Sequence, residues 1–169
     1  MIEDLKTLTW FLTKPSLYPA LIDLILRKFF LPDHDSGLEK EKAKSWCVEN
    51  QSEVTDVFLK YKLNEFEDFR ETLNNNYFQN VEKKIMQSDS DFGGPGDLSL
   101  LFKLCESIQA TYVLETGVAY GWSSAAILES INTRNGTLIS IDMPMPKQTN
   151  YELIGIAVKE DHRKFWKLI

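Results

Sequence analysis

Cysteine is scarce in this chain: Cys47 and Cys105 are its two thiols, with no C-x-x-C spacing. That excludes a disulfide-stapled scaffold and a cysteine-built zinc cluster, and reads as reduced, semi-buried thiols. Long apolar runs are missing too. The longest, Ala20 to Leu31, is broken by Asp23, Arg27 and Lys28, and a membrane span needs about 20 apolar residues. The opening Met-Ile-Glu-Asp-Leu-Lys lacks the basic start and apolar core of a signal peptide. A soluble, cytoplasmic protein with no membrane span is the expectation. There is no basic surplus either. A formal net charge of −6 argues against a nucleic-acid partner, which favours a basic face. What is present is ordinary globular material, 43% hydrophobic and 26% charged, enough to build a core.

The first half has helical periodicity. Leu5, Leu8, Phe11 and Leu12 share one face between Glu3 and Thr13, and Pro15 stops that helix. After Pro19, tolerated in a first turn, a stripe runs from Leu21 and Ile22 through Ile25 and Leu26 to Phe29 and Phe30. A helical hairpin packed in a core is expected there, with a dimer interface or membrane-surface helix as alternatives. His34, between Asp33 and Asp35 in a loop, reads as part of a solvated turn rather than a metal ligand. Short helices over 39–48 and 53–61 precede a long one from Glu65 to Gln87, weakened at Asn74-Asn75-Asn76. Ser88 to Asp97, rich in glycine and acids, is the clearest linker. The expected division is a helical region over 1–88, a linker over 89–96 and a second segment over 97–169.

Past the linker the pattern changes. Leu98 to Ile108 is an amphipathic helix capped by Asp97. Thr111 to Glu115 reads as a strand buried on both faces. Gly117 to Gly121 is a glycine-punctuated turn, and Trp122 to Ile131 resumes helical spacing. Thr137 to Ile141 is a second strand ending at Asp142. A short helix over 159–163 leads to Phe165–Ile169, the opening of a third strand. This is a βαβ unit with a helix in front, an α/β fold.

A cofactor lying across the carboxyl ends of such strands needs three things. Backbone must approach the ligand, which suits the small residues Gly117, Ala119 and Gly121. The next helix must offer free amides at its start. An acid on the second strand must accept ribose hydroxyls, and Asp142 stands there. A dinucleotide fingerprint needs a small residue at position 122 and meets Trp122, while no Gly-Lys-Ser/Thr phosphate loop occurs.

The segment Glu-Thr-Gly-Val-Ala-Tyr-Gly-Trp-Ser-Ser, from Glu115, resembles motif I of class I methyltransferases that use S-adenosyl-L-methionine (SAM). With Ser-Ile-Asp-Met-Pro after it, the wording is similar to a bacterial branch that acts on small molecules or glycans. Phe-Leu-Thr-Lys-Pro-Ser-Leu-Tyr-Pro and Lys-Ser-Trp-Cys resemble that branch's leader. The resemblance implies a Rossmann-like SAM-binding core behind an N-terminal helical region, and a small-molecule or glycan-like methyl acceptor. It implies that Glu115 orients the SAM ammonium group, that Gly117, Ala119 and Gly121 pass beneath its amino-acid part, and that Asp142 holds the ribose. Tyr120 and Ser123 complete the candidate cofactor-binding set. For Tyr120 and Trp122, packing beside the turn is an equal reading, and Glu115 has a helix-capping alternative.

The family has seven strands, the first flanked by the second and fourth. This sequence stops at the start of the third, so the core is expected to be incomplete and truncated. The first strand would then be an open edge, inviting homodimerisation or edge-strand pairing. No metal-ligand set is visible, and no general base is assigned; His162, in Asp-His-Arg-Lys, reads as a solvated helix residue. Two other readings stand: a non-catalytic nucleotide-binding or interaction module, and an NAD-type oxidoreductase fragment, which Trp122 disfavours.

Overall fold

A computed structural model describes residues 8–30, 37–63, 69, 75–87, 92–142 and 150–169. The described residues up to Glu53 form one compact unit and those from Val54 onward another. His34 and the first half of the expected helix over Glu3–Thr13 lie outside the described residues.

In the first unit, residues 8–12 are helical, and Pro15 opens a 3-10 turn, Pro15–Leu17. Helix α1 spans Tyr18–Phe30 and α2 spans Gly37–Asn50. The packed hairpin expected here is not what the structure shows. Leu21 is buried, but Ile22, Ile25, Leu26 and Phe30 are exposed. The reason lies in α2: its lysines and glutamates leave no apolar stripe to face α1, and Trp46 and Val48 are themselves exposed. Cys47 is exposed rather than semi-buried, whereas Cys105 is buried; both are free thiols.

The second unit is helix-rich around a small parallel sheet. Its elements are α3 (Val54–Lys60), α4 (Asn75–Met86), α5 (Leu98–Ser107), β1 (Tyr112–Thr116), α6 (Trp122–Ile131), β2 (Thr137–Ile141) and β3 (Trp166–Leu168). Asp97 caps α5, its Oδ1 accepting the Leu100 N–H at 2.7 Å. Of the long helix expected from Glu65 to Gln87, the described parts are Phe69 and the helix Asn75–Met86; residues 64–68 and 70–74 lie outside the described residues. The short helix expected over 159–163 is a 3-10 segment, Glu160–Phe165.

The sheet order is β1-β2-β3, all parallel, with Glu115 opposite Ser140 and Ser140 opposite Leu168. Helix α6 packs on β1 and β2, and α5 packs along α6. Between them lies one apolar layer, where Leu128, Ile131 and Leu138 are fully buried beside Cys105 and Val158. A second layer joins Phe78 of α4 to Leu98 of α5, Trp122 and Ala126 of α6, and Leu153. Phe78 and Trp122 meet at 5.8 Å between ring centroids.

Strand β1 departs from the expected two-sided burial. Glu115 is buried and Val113 half-buried, but Tyr112 and Leu114 are 82% and 66% exposed. The helical layer covers one side only, so the apolar run is half solvated. Among the described residues β1 is also an edge strand. No helix among the described residues is long and apolar enough to cross a membrane.

At the opposite end, Arg134 clasps the close of α5. Its Nη1 lies 2.8 Å from Glu106 Oε1, its Nε donates to the Ala110 carbonyl, and Ser130 Oγ donates to the same Glu106 oxygen. Burial pushes the Glu106 carboxyl up, but Ser130 and Arg134 outweigh it and hold the group below its usual range. A lowered carboxyl pKa gives stability that is complete above the unfolded value and lost as pH falls through the folded one. Glu106→Gln is therefore expected to flatten the acid limb of a pH–stability curve below about pH 4.5. Leu128→Ala, at a fully buried site, is expected to cost about 2–5 kcal/mol in urea denaturation.

Candidate functional site

The site forms where the chain leaves β1. Because β1 and β2 pair in parallel register to Thr116 and Ile141, both strands end at the same level. The Gly117 N–H extends the ladder by one bond to the Ile141 carbonyl, at 2.9 Å. Three residues then take positive φ: Gly117 at 79°, Ala119 at 50° and Gly121 at 78°. Alternating left-handed residues fold the chain back sharply, and Gly121 serves as the cap from which α6 starts. Ala119 carries a side chain in this region, at a cost of roughly 1–2 kcal/mol.

Asp142, the residue after β2, faces this turn. Its Oδ2 accepts the N–H groups of Val118 and Ala119, each at 3.3 Å. Its other oxygen bonds no described residue. The turn thus presents its amides to a carboxylate supplied by the neighbouring strand.

Glu115 sits one layer beneath, 9% exposed. Ser123 Oγ donates to its Oε1 at 2.5 Å, while Ser124 Oγ and Ser140 Oγ both donate to Oε2 at 2.6 Å. These hydroxyls occupy three of about four acceptor positions on a carboxylate. Glu115 therefore ties β1 to β2 and to the first turn of α6.

The structure brings Glu115, Gly117, Ala119, Gly121, Ser123 and Asp142 together around one turn. It sends the side chain of Tyr120 elsewhere. That ring is 2% exposed and packs on Phe92 at 4.8 Å, where its hydroxyl accepts the Phe92 N–H. Trp122 is likewise core. The glycines also differ from each other. A Cβ on Gly117 would meet nothing within 4 Å, so the space beside it is open. A Cβ on Gly121 would lie 2.7 Å from the Gly155 Cα. Close backbone approach does occur at Gly121, but the approaching backbone belongs to the same chain.

No protein-family model and no curated protein matches this chain. Among solved structures it is similar to a candidate O-methyltransferase from Klebsiella pneumoniae, with 17% identity over 59% of this chain and 46% of that one, at a TM-score of 0.41. It is also similar to the SAH-bound Podospora anserina methyltransferase PaMTH1, with 13% identity over 79% of this chain and 49% of that one, at a TM-score of 0.37. The chain thus spans about half the length of either structure. At these scores the likeness carries no functional weight.

Several parts of the site lie beyond what local sequence signals. Ser124 and Ser140 complete the cradle of Glu115, and the available signal for Ser140 is a polar residue between two isoleucines opposite the acid. Residues 150–158 have no signal. They brace the turn through backbone, Gly155 N–H donating to the Ala119 carbonyl and Ala157 N–H to the Tyr120 carbonyl, both at 2.9 Å. His162 is not the solvated residue expected. It is buried, with Nε2 3.3 Å from Asn132 Nδ2 and Nδ1 3.6 Å from Glu129 Oε2, because the 3-10 segment turns it onto the end of α6. Among the described residues no group of three or more His, Cys, Asp or Glu side chains is arranged to hold a metal.

The two glycines respond differently to substitution. Gly117→Ala meets only the left-handed penalty, about 1–2 kcal/mol. Gly121→Ala adds a backbone collision and is expected to lose more than that. Parallel urea denaturation of the two variants measures the difference.

Proposed function

We propose that this chain binds SAM at the turn of residues 117–121 and serves methyl transfer to a small-molecule or glycan-like acceptor. It carries the cofactor-binding motifs of a class I methyltransferase of the bacterial branch it resembles. One observation supports this above the others: two carboxylates, Glu115 and Asp142, flank the turn, and among the described residues neither is paired with a Lys, Arg or His. A dinucleotide would bring its pyrophosphate to the start of α6, over Glu115. At a separation of about 5 Å and an effective dielectric near 20, each like-charge contact costs roughly 3 kcal/mol. A hydrogen bond from the turn returns about 1 kcal/mol, and the Val118 and Ala119 amides already serve Asp142. Repulsion wins for a pyrophosphate. A sulfonium and an ammonium reverse its sign.

The residues fit that group in three further respects. The second oxygen of Asp142, which bonds no described residue, can accept ribose hydroxyls. The open space beside Gly117 leaves room for ligand against main chain. Glu115 adds negative charge from below while its hydroxyl partners keep it from moving. When bound, SAM supplies a methyl group activated by the adjacent sulfonium, which an acceptor takes by in-line displacement. The protein's part is alignment and exclusion of water. Free thiols at Cys47 and Cys105 suit a reducing compartment, and the cytoplasm is the proposed location.

Calorimetry with SAM, S-adenosylhomocysteine and NAD tests this reading. SAM is expected to bind and NAD to give no heat of binding. Asp142→Asn keeps an oxygen for the Val118 and Ala119 amides but removes the charge, and is expected to weaken SAM binding about tenfold or more. NAD binding without SAM binding would reject the assignment.

A further inference from the structure

We propose that Trp166, on β3, is a positioning residue for the turn of residues 117–121, acting through two arms that begin at one indole. This rests on the reading of that turn as the cofactor cradle. The first arm is a relay of hydrogen bonds. Trp166 Nε1 donates to Ser140 Oγ at 2.8 Å. With that lone pair taken, the Ser140 hydroxyl directs its proton to Glu115 Oε2, at 2.6 Å. Glu115 in turn fixes the hydroxyls of Ser123 and Ser124, in the first turn of α6. The indole therefore sets the orientation of a serine, and the serine helps hold the carboxylate beneath the turn.

The second arm is steric. The six-membered ring of Trp166 lies where a Cβ on Gly155 would stand. It rests directly on the backbone of that residue, whose φ is +69°. Gly155 and Ala157 are the residues whose N–H groups hold the carbonyls of Ala119 and Tyr120. Arg163 closes the stack: its guanidinium lies 5.4 Å from the Trp166 ring centre, and its Nη2 donates to the Gly155 carbonyl at 3.2 Å. The turn is thus gripped on its amide side by Asp142 and on its carbonyl side by the segment under Trp166. Neither arm requires Trp166 to touch the cofactor.

The test uses the full chain with S-adenosylhomocysteine as the titrant. Trp166→Phe loses the indole N–H and the outer ring atoms over Gly155, cutting both arms, whereas Ser140→Ala breaks the relay alone. Trp166→Phe is expected to weaken binding at least about five-fold, the value of one ordinary hydrogen bond. The double variant is expected to bind no more weakly than Trp166→Phe alone, because the relay is already cut in it. Losses that simply add, or full affinity in Trp166→Phe, overturn the proposal; a merely structural role would give additive losses.

A second measurement needs no ligand. In Trp166→Leu, which removes ring and N–H together, amide exchange at Gly155 and Ala157 is expected to speed up at least about five-fold, with Ile127 and Leu128 in α6 unchanged. If wild-type chain does not bind S-adenosylhomocysteine, the cofactor reading fails and the exchange rates alone decide the role of Trp166. Unchanged rates at Gly155 and Ala157 reject it.

Discussion

The α/β unit depends on one buried carboxylate. Glu115 has exchanged water for three serine hydroxyls drawn from α6 and β2. Taking a carboxylate out of water is costly unless its oxygens are satisfied, and charge-assisted bonds from hydroxyls are the compact way to do so without a cation. The position at the start of a ten-residue helix helps further, since that end carries the positive side of the peptide dipoles. A paired lysine or arginine would also satisfy the acid, but it would cancel the charge. Neutral donors leave the charge in place.

That choice determines how the turn above can be built. With Glu115 fixing both strands and the helix start, residues 117–121 must connect fixed ends within a few ångströms. Three left-handed residues accomplish this, and the segment at 153–157 steadies them. Gly121 faces the backbone of Gly155, and Gly155 faces the ring of Trp166, so a side chain at either glycine would collide. Gly117 meets no such neighbour. A pattern that reads as three small residues beneath a ligand thus includes one position, Gly121, used for self-packing.

How much of this is legible in the sequence depends on how local each signal is. The spans of α6 and β2 can be read to the residue, because apolar spacing and the Asn135-Gly136 turn bound them on both sides. Asp97 announces its cap, and Asp142 its place at a strand end. Burial is harder. Val113 and Leu114 are equally apolar in sequence, yet only one side of β1 has a helix over it. Along α1 the stripe from Ile22 to Phe30 has the spacing of a core face, but α2 offers nothing to meet it. His162 sits in a charged run and is turned inward by a 3-10 segment that polar residues do not signal. Tyr120 lies between two site residues in the chain, but its ring belongs to the layer with Phe92. Each failure concerns which neighbour arrives from afar.

Spacing alone also leaves the ligand of such a turn undecided, since a glycine-rich bend after a strand serves phosphates and sulfonium cofactors alike. What separates the two is the sign of the fixed charge. A phosphate site leaves its helix-start amides unengaged and keeps acids away. Here the Val118 and Ala119 amides are already given to Asp142, and Glu115 lies beneath the first turn of α6, held by the Ser123 and Ser124 hydroxyls. An anion arriving at this turn would find the Val118 and Ala119 amides taken and two acidic groups nearby. A cation would find the charge held still, with its solvation already replaced by serines. The negative sign of the fixed charge at this turn is therefore a consequence of how the turn is held together.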